Sequence, residues 1–308
     1  MTTITTSLSK KIYLTLIGCF FIGVVPIYPI IEILQTGQIE KEGFKFFFSF
    51  VGCFFGFSMF YAYWKNSPKI TIDKNTIKIG NHTFYFKDIK NIVLTGKKSL
   101  GIFPMESTTL LFKNGTKKIL FDIMYSNSSE IKLFLEQVVL NKQEYIPRLI
   151  NKINRNAIRF EREETFKGNQ FIYLRGIIFW GVIGFWIFAI FSWIERQILT
   201  SMILIIISVS SVGLFFGLSW TMNYFCLTKE YLIIRNHIFF WMVKIYRFSD
   251  IKEVVFEQEG RSPNCMRVKT KDFRNKVYTA GTLRKKTWLE MMKNLEEKGV
   301  KVRNECIS

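Results

Sequence analysis

Histidine is almost missing from this chain: 308 residues contain two, His82 and His237. An imidazole-based metal centre or hydrolytic triad has little to build on. Cysteine is scarce too, and Cys19, Cys53, Cys226, Cys265 and Cys306 include no C-x-x-C spacing. An odd count, with two members inside apolar stretches, reads as reduced thiols and excludes a disulfide scaffold or zinc site. There is no phosphate-binding loop, no H-E-x-x-H, no G-x-S-x-G and no suggestively spaced carboxylate pair. The chain therefore points to binding over catalysis, with no cofactor and no metal expected. Acidic side chains are few as well, 24 against 43 basic, a net charge of +19. Such a balance suggests nucleic acid in a soluble protein, but membrane proteins acquire it from cytoplasmic segments.

What the chain has in abundance is phenylalanine, 32 residues, and long apolar runs. Ile12–Leu34, Phe44–Trp64, Phe171–Ile194 and Ile198–Met222 are each long enough for a membrane span. The first would extend about 34 Å as a helix, and its length exceeds a signal-peptide core. Glu32 and Arg175, near span ends, read as anchors that snorkel to the interface. Residues 65–170 hold 19 basic and 10 acidic residues, and residues 223–308 hold 18 and 10. The positive-inside rule then places both termini and both extramembrane parts in the cytoplasm of a multi-pass inner-membrane protein.

The chain also repeats itself. Val51–Ser58 and Val212–Ser219 match at six of eight positions, 161 residues apart. Each is followed by a β-rich segment, an Asn-His pair (Asn81-His82, Asn236-His237) and a Phe-x-Asp-Ile-Lys step at Phe86–Lys90 and Phe248–Lys252. Period-two patterning predicts strands at 69–73, 76–80, 83–87, 89–95, 107–113 and 116–122 in the first copy. In the second they fall at 224–228, 231–236, 238–247, 251–258, 265–271 and 274–280. Amphipathic helices follow at 128–141 (Ile131, Phe134, Leu135, Val138) and 283–298 (Trp288, Met291, Met292, Leu295). The expected class is an α+β integral membrane protein with five parts. These are hairpin 12–64, domain 65–142, linker 143–170, hairpin 171–222 and domain 223–308.

Two spans, six or seven antiparallel strands with the Phe-x-Asp-Ile-Lys step, and one C-terminal helix resemble bacterial membrane proteins that carry a pleckstrin-homology-like domain. The resemblance covers nearly the whole chain, twice, in topology and not in a shared site. It implies a curved seven-stranded sheet capped by a helix, in a module that is not an enzyme. Leu100–Phe103 would have to supply the seventh strand of the first copy.

Several residues stand out as candidate contacts. Gly52/Gly56 and Gly213/Gly217 form a duplicated G-x-x-x-G, expected to pack spans two and four together, with homodimerisation as the competitor. Residues 145–162 carry Ile146, Leu149, Ile150, Ile153, Ala157 and Ile158 on one helical face. Arg148, Lys152, Arg155, Arg159 and Arg162 add charge, as in an interfacial helix or a linker helix on a domain. Lys97 and Lys98, in a loop after the fourth strand, are candidate headgroup contacts. Ile238–Val243 is apolar on both faces, so Phe240 and Trp241 must meet the membrane interface or bury against the other domain. The duplicated histidines read as inherited turns. The function expected is an inner-membrane binding or scaffold protein engaging membrane lipid, a protein partner or its own copies as a homo-oligomer. The alternative is a small transport or channel component on a four-helix repeat, and nucleic acid is not expected.

Overall fold

The computed structural model describes residues 3–37, 39–101, 103–148, 150, 153, 163–196, 201–258 and 263–306. The chain divides into two units, Met1–Arg148 and Leu149–Ser308.

The first unit opens on a two-residue strand, β1 (Ile4–Thr5). Ser9 then caps α1 (Lys10–Val24), its hydroxyl accepting the Ile12 amide at 3.3 Å and satisfying one of the helix's orphan donors. Pro26 has no N–H to give, so the apolar run is interrupted there and resumes as α2 (Ile27–Thr36). The chain returns through α3 (Ile39–Lys65), which breaks at Glu42. Among the described residues, Lys10–Thr36 and Glu42–Lys65 are long and apolar enough to cross a membrane. There follow β2 (Ile70–Ile72), β3 (Thr76–Ile79), β4 (His82–Tyr85), β5 (Ile89–Val93), β6 (Lys97–Leu100), β7 (Phe103–Phe112) and β8 (Lys117–Phe121). α4 (Ser128–Phe134) continues into a π-helical stretch, Leu135–Leu140. Ile4 pairs opposite Ile72, so the first sheet runs β1-β2-β3-β4, while β5, β6 and β8 all pair with β7. Ile72, Ile77, Leu110, Phe112, Ile131 and Leu135 meet in one core together with Ile12 and Leu16 of α1.

The second unit has β9 (Glu164–Phe166), α5 (Leu174–Arg196), α6 (Ser201–Trp220), β10 (Asn223–Leu227), β11 (Tyr231–Asn236) and β12 (Lys244–Arg247). After these come β13 (Ile251–Gln258), β14 (Asn264–Thr270), β15 (Asn275–Thr279), α7 (Lys285–Glu297) and β16 (Val302–Asn304). α5 and α6 cover the third and fourth apolar stretches. Their apolar portions with described side chains, Gly176–Phe191 and Ser210–Trp220, are shorter than a crossing. β9 pairs with β10, giving β9-β10-β11-β12, and the second sheet runs β16-β13-β14-β15. Trp288, Met291, Met292 and Leu295 of α7 are buried against it, as their spacing requires.

The Phe-x-Asp-Ile-Lys step is a corner between sheets in both units. Phe86–Asp88 and Phe248–Asp250 each form one 3-10 turn, and a strand starts at the Ile. Asp88 and Asp250 each accept a backbone amide through the carbonyl, from Lys113 and Lys271, both at 2.8 Å. A register shift follows in each strand, between Ile89 and Asn91 and between Ile251 and Glu253, which bends the ladder away from the corner.

Four expectations need correction. Residues 238–243 are a loop and β12 starts only at Lys244, since a stretch apolar on both faces has no solvent side to present. Lys97 and Lys98 lie in β6, opposite Glu106 and Met105, and not in a loop. Leu100 and Phe103 face each other across that hairpin, so the extra strand of the first sheet is β1, from ahead of the first helix. Finally, Tyr145–Arg148 is not helical. Gln137 holds Ile146 by both its main-chain groups, at 2.8 and 3.1 Å, and Pro147 disfavours helical backbone before it. Of the remainder of the predicted helix, all but residues 150 and 153, which are not helical, lie outside the described residues, Lys152, Arg155 and Arg159 among them.

Candidate membrane-facing surface

In each unit the helical hairpin is inserted between the first two strands of a sheet, and one segment grips both of its roots. In the first unit that segment is Met124–Asn127, just ahead of α4. Ser9 donates its amide to Met124, and Ser126 donates to Ser7, both at 2.9 Å. Asn127 Nδ2 reaches the Thr5 carbonyl at 3.0 Å. On the other root, the buried Tyr125 hydroxyl donates to the Pro68 carbonyl at 2.7 Å. In the second unit the segment is Thr279–Arg284, ahead of α7. Gly281 donates to Thr221 at 2.9 Å, and Asn223 Nδ2 donates to Trp220 and Thr279 carbonyls at 3.0 and 2.8 Å. On the entering side, Gly168 lies so close to Thr282 that a Cβ would overlap its carbonyl, and Arg284 Nε donates to the Tyr173 hydroxyl. The signal for these roots is weak in the sequence, because all these bonds but the one from Asn223 to Trp220 join residues far apart along the chain.

The glycines behave differently in the two units. A Cβ on Gly56 would fall 2.6 Å from Gly23 Cα, and one on Gly52 would lie 3.1 Å from Pro26 Cγ. Gly56 therefore lets α3 approach α1 closely within its own hairpin. Among the described residues, a Cβ on Gly213 or Gly217 would meet no atom within 4 Å. At the far turn of the first hairpin, Glu32 and Glu42 both reach Lys45, at 3.5 and 3.0 Å.

The second unit presents an apolar loop where the first has a two-residue turn. In the first unit Gly80 takes φ of +59° and Ile79 pairs directly with His82. In the second, Asn236 is buried and its side chain works in two directions. Its Oδ1 accepts the Ile238 and Phe239 amides at 2.9 Å, and its Nδ2 donates to Ser219 in the last turn of α6 at 2.8 Å. Phe239 stacks on Phe216 of α6, centroids 6.0 Å apart. Phe240 and Trp241 remain 76% and 62% exposed.

His237 also belongs to this corner. It sits 4.7 Å from the Tyr224 ring, and burial, helped by the nearby Lys167 charge, pushes its pKa down. Burial pushes the Cys226 thiol up, which makes it a poor nucleophile.

The candidate cations among the described residues sit on separate elements of the first unit. Lys98 is exposed on the β6 hairpin, Lys97 is half-buried beside it, and Arg148 is exposed on the extended segment after the π turn. Others are spent internally: Lys132 pairs with Asp122 and Arg267 with Glu257, each at 2.6 Å in buried positions, and Arg235 pairs with Glu163 at 2.8 Å. Net charge alone could not reveal that. Among the described residues, no group of three or more His, Cys, Asp or Glu side chains is placed to hold a metal ion. No family model, curated protein or solved structure matches the chain.

Proposed function

We propose that the chain is a non-enzymatic binding or scaffold protein of the bacterial inner membrane. In this reading four apolar segments cross the bilayer as two hairpins, each carrying a pleckstrin-homology-like domain on the cytoplasmic side. The carrying observation is the shared construction of the units: strand, helical hairpin, three more strands, a Phe-x-Asp-Ile-Lys corner, a second sheet, and a helix. Among the described residues each unit has eight strands, β1–β8 and β9–β16; setting aside the hairpin strand β6 and the parallel strand β16 leaves seven and a helix in each. The basic excess in residues 65–170 and 223–308 supports cytoplasmic domains. Domains rooted at both ends of a hairpin stay beside the bilayer, where an anionic leaflet attracts nearby Lys and Arg by about 1 kcal/mol each.

The test is topological. In a chain whose five cysteines are replaced, Lys98→Cys and Lys286→Cys place one exposed thiol on each domain. A membrane-impermeant maleimide should spare both in right-side-out vesicles and modify both in inverted ones. Modification of either in right-side-out vesicles refutes the arrangement.

A further inference from the structure

We infer that the loop Ile238–Val243 is a membrane wedge: Phe240 and Trp241 insert at the boundary between headgroups and acyl chains of the bilayer that α5 and α6 enter. The inference rests on the reading that this hairpin crosses a membrane, and it adds a second, non-helical contact to the same bilayer.

The loop is placed by α6. Phe239 lies over Phe216, four residues before the end of that helix at Trp220. Four residues of α-helix rise about 6 Å, which matches the depth of about 5–10 Å that interfacial segments reach. Exposed Trp220 marks the end of the helix itself, a position where aromatic rings collect in membrane proteins. Beside the stacked ring, Phe240 and Trp241 pack edge to face, centroids 4.9 Å apart, and point away from the protein. Water is a poor medium for two such rings, while the interface accepts both the apolar faces and the indole N–H.

The loop is also already ordered. Met242 donates to Phe239 at 2.8 Å and Val243 donates to Trp241 at 3.1 Å. Asn236 ties the loop's first two amides to the helix end. Insertion therefore carries little ordering cost. Exposed Lys167 and Lys244 border the corner and suit an anionic leaflet. A second copy of the chain is the rival occupant, but stacking on a bilayer-facing helix puts the rings at the level of lipid. The first unit's Gly80-Asn81 turn offers nothing comparable, so the wedge belongs to one half of the molecule.

The full chain, with native cysteines replaced, tests this when reconstituted in phosphatidylglycerol-containing vesicles. A fluorophore is attached at Trp241→Cys, with Phe240→Cys as a second site should the first variant fail to fold, and separately at Val212→Cys in α6. Lipids brominated near the carbonyl should quench the loop fluorophore more than lipids brominated near the chain end. The α6 fluorophore should show deep quenching. Asn236→Ala should weaken quenching at the loop and leave α6 unchanged. Quenching at α6 without quenching at either loop site overturns the wedge and leaves the span standing. Disulfide crosslinking between copies at the loop, in place of quenching, also overturns it. No quenching at α6 overturns the crossing, and the wedge falls with it.

Discussion

The two helical hairpins carry nearly the same eight-residue motif and use it differently. In the first, Gly56 lies against the Gly23 backbone, and Phe57 would stand 3.3 Å from a Cβ on Gly23. The helices there meet backbone to backbone. In the second, ring contact joins the helices, Phe179 to Phe215 at 5.2 Å, while among the described residues a Cβ on Gly213 or Gly217 would meet no atom within 4 Å. A recurring G-x-x-x-G is thus a poor guide, by itself, to which helices meet. Small residues permit close approach; what fills the space depends on the facing helix, and α1 has a glycine there.

The sharpest way to break this comparison is to add bulk at equivalent sites. Gly56→Leu forces side-chain atoms into Gly23 main chain, which cannot rotate aside. It should cost about 3 kcal/mol, the upper end of overpacking penalties. Gly217→Leu should cost little in the detergent-solubilised monomer. Thermal unfolding in detergent reads both, and equal losses would erase the distinction between the hairpins.

The roots come next in size. Asn223→Ala removes a side chain that bridges Trp220, Thr279 and Asn236, leaving buried carbonyls unpaired at about 1–3 kcal/mol. Tyr125→Phe removes one bond, to Pro68, and should cost about 1 kcal/mol. Both variants should also expose the junctions near residues 66–70 and 220–223 to added protease sooner than the parent. Unchanged proteolysis in both would show that the hairpins are held by apolar packing alone.

The pattern of what could be read in advance follows from the range of each interaction. Elements whose signal is periodic and local were legible: the apolar stretches, β2 to β5, β7 and β8, the Phe-x-Asp-Ile-Lys corners, and the face of α7. β1 and β9 have two and three residues, too short for a period, and exist because a partner strand lies across an inserted hairpin. Tyr145–Arg148 carries a helical pattern, but a long-range clamp from Gln137 overrides it. In the apolar loop of the second unit, Phe240 and Trp241 were visible as a two-sided apolar problem. Phe239 as anchor and Asn236 as tether were not, because the pattern of a hairpin says nothing of the helix end beneath it.

The smallest expected effect compares the two histidines. Both follow an asparagine at the same point of each unit, but His82 is exposed in β4 and His237 is half-buried beside Tyr224 and Lys167. Burial and the lysine charge both disfavour the imidazolium, so the folded-state pKa of His237 lies below its ordinary value of about 6.5. The unfolded chain then binds this proton more readily than the folded one. Stability consequently rises with pH across the window. Read in the other direction, His237 contributes no penalty above about 6.5, and an increasing one as pH falls from there through the lowered folded value. Below that value the penalty is constant. Thermal unfolding in detergent at a series of pH values should show this acid-side loss, and His237→Asn should reduce it. His82→Asn, at an exposed ring in the first unit, is the control substitution and should leave it in place. If both substitutions change the slope equally, the burial of His237 is not what sets it.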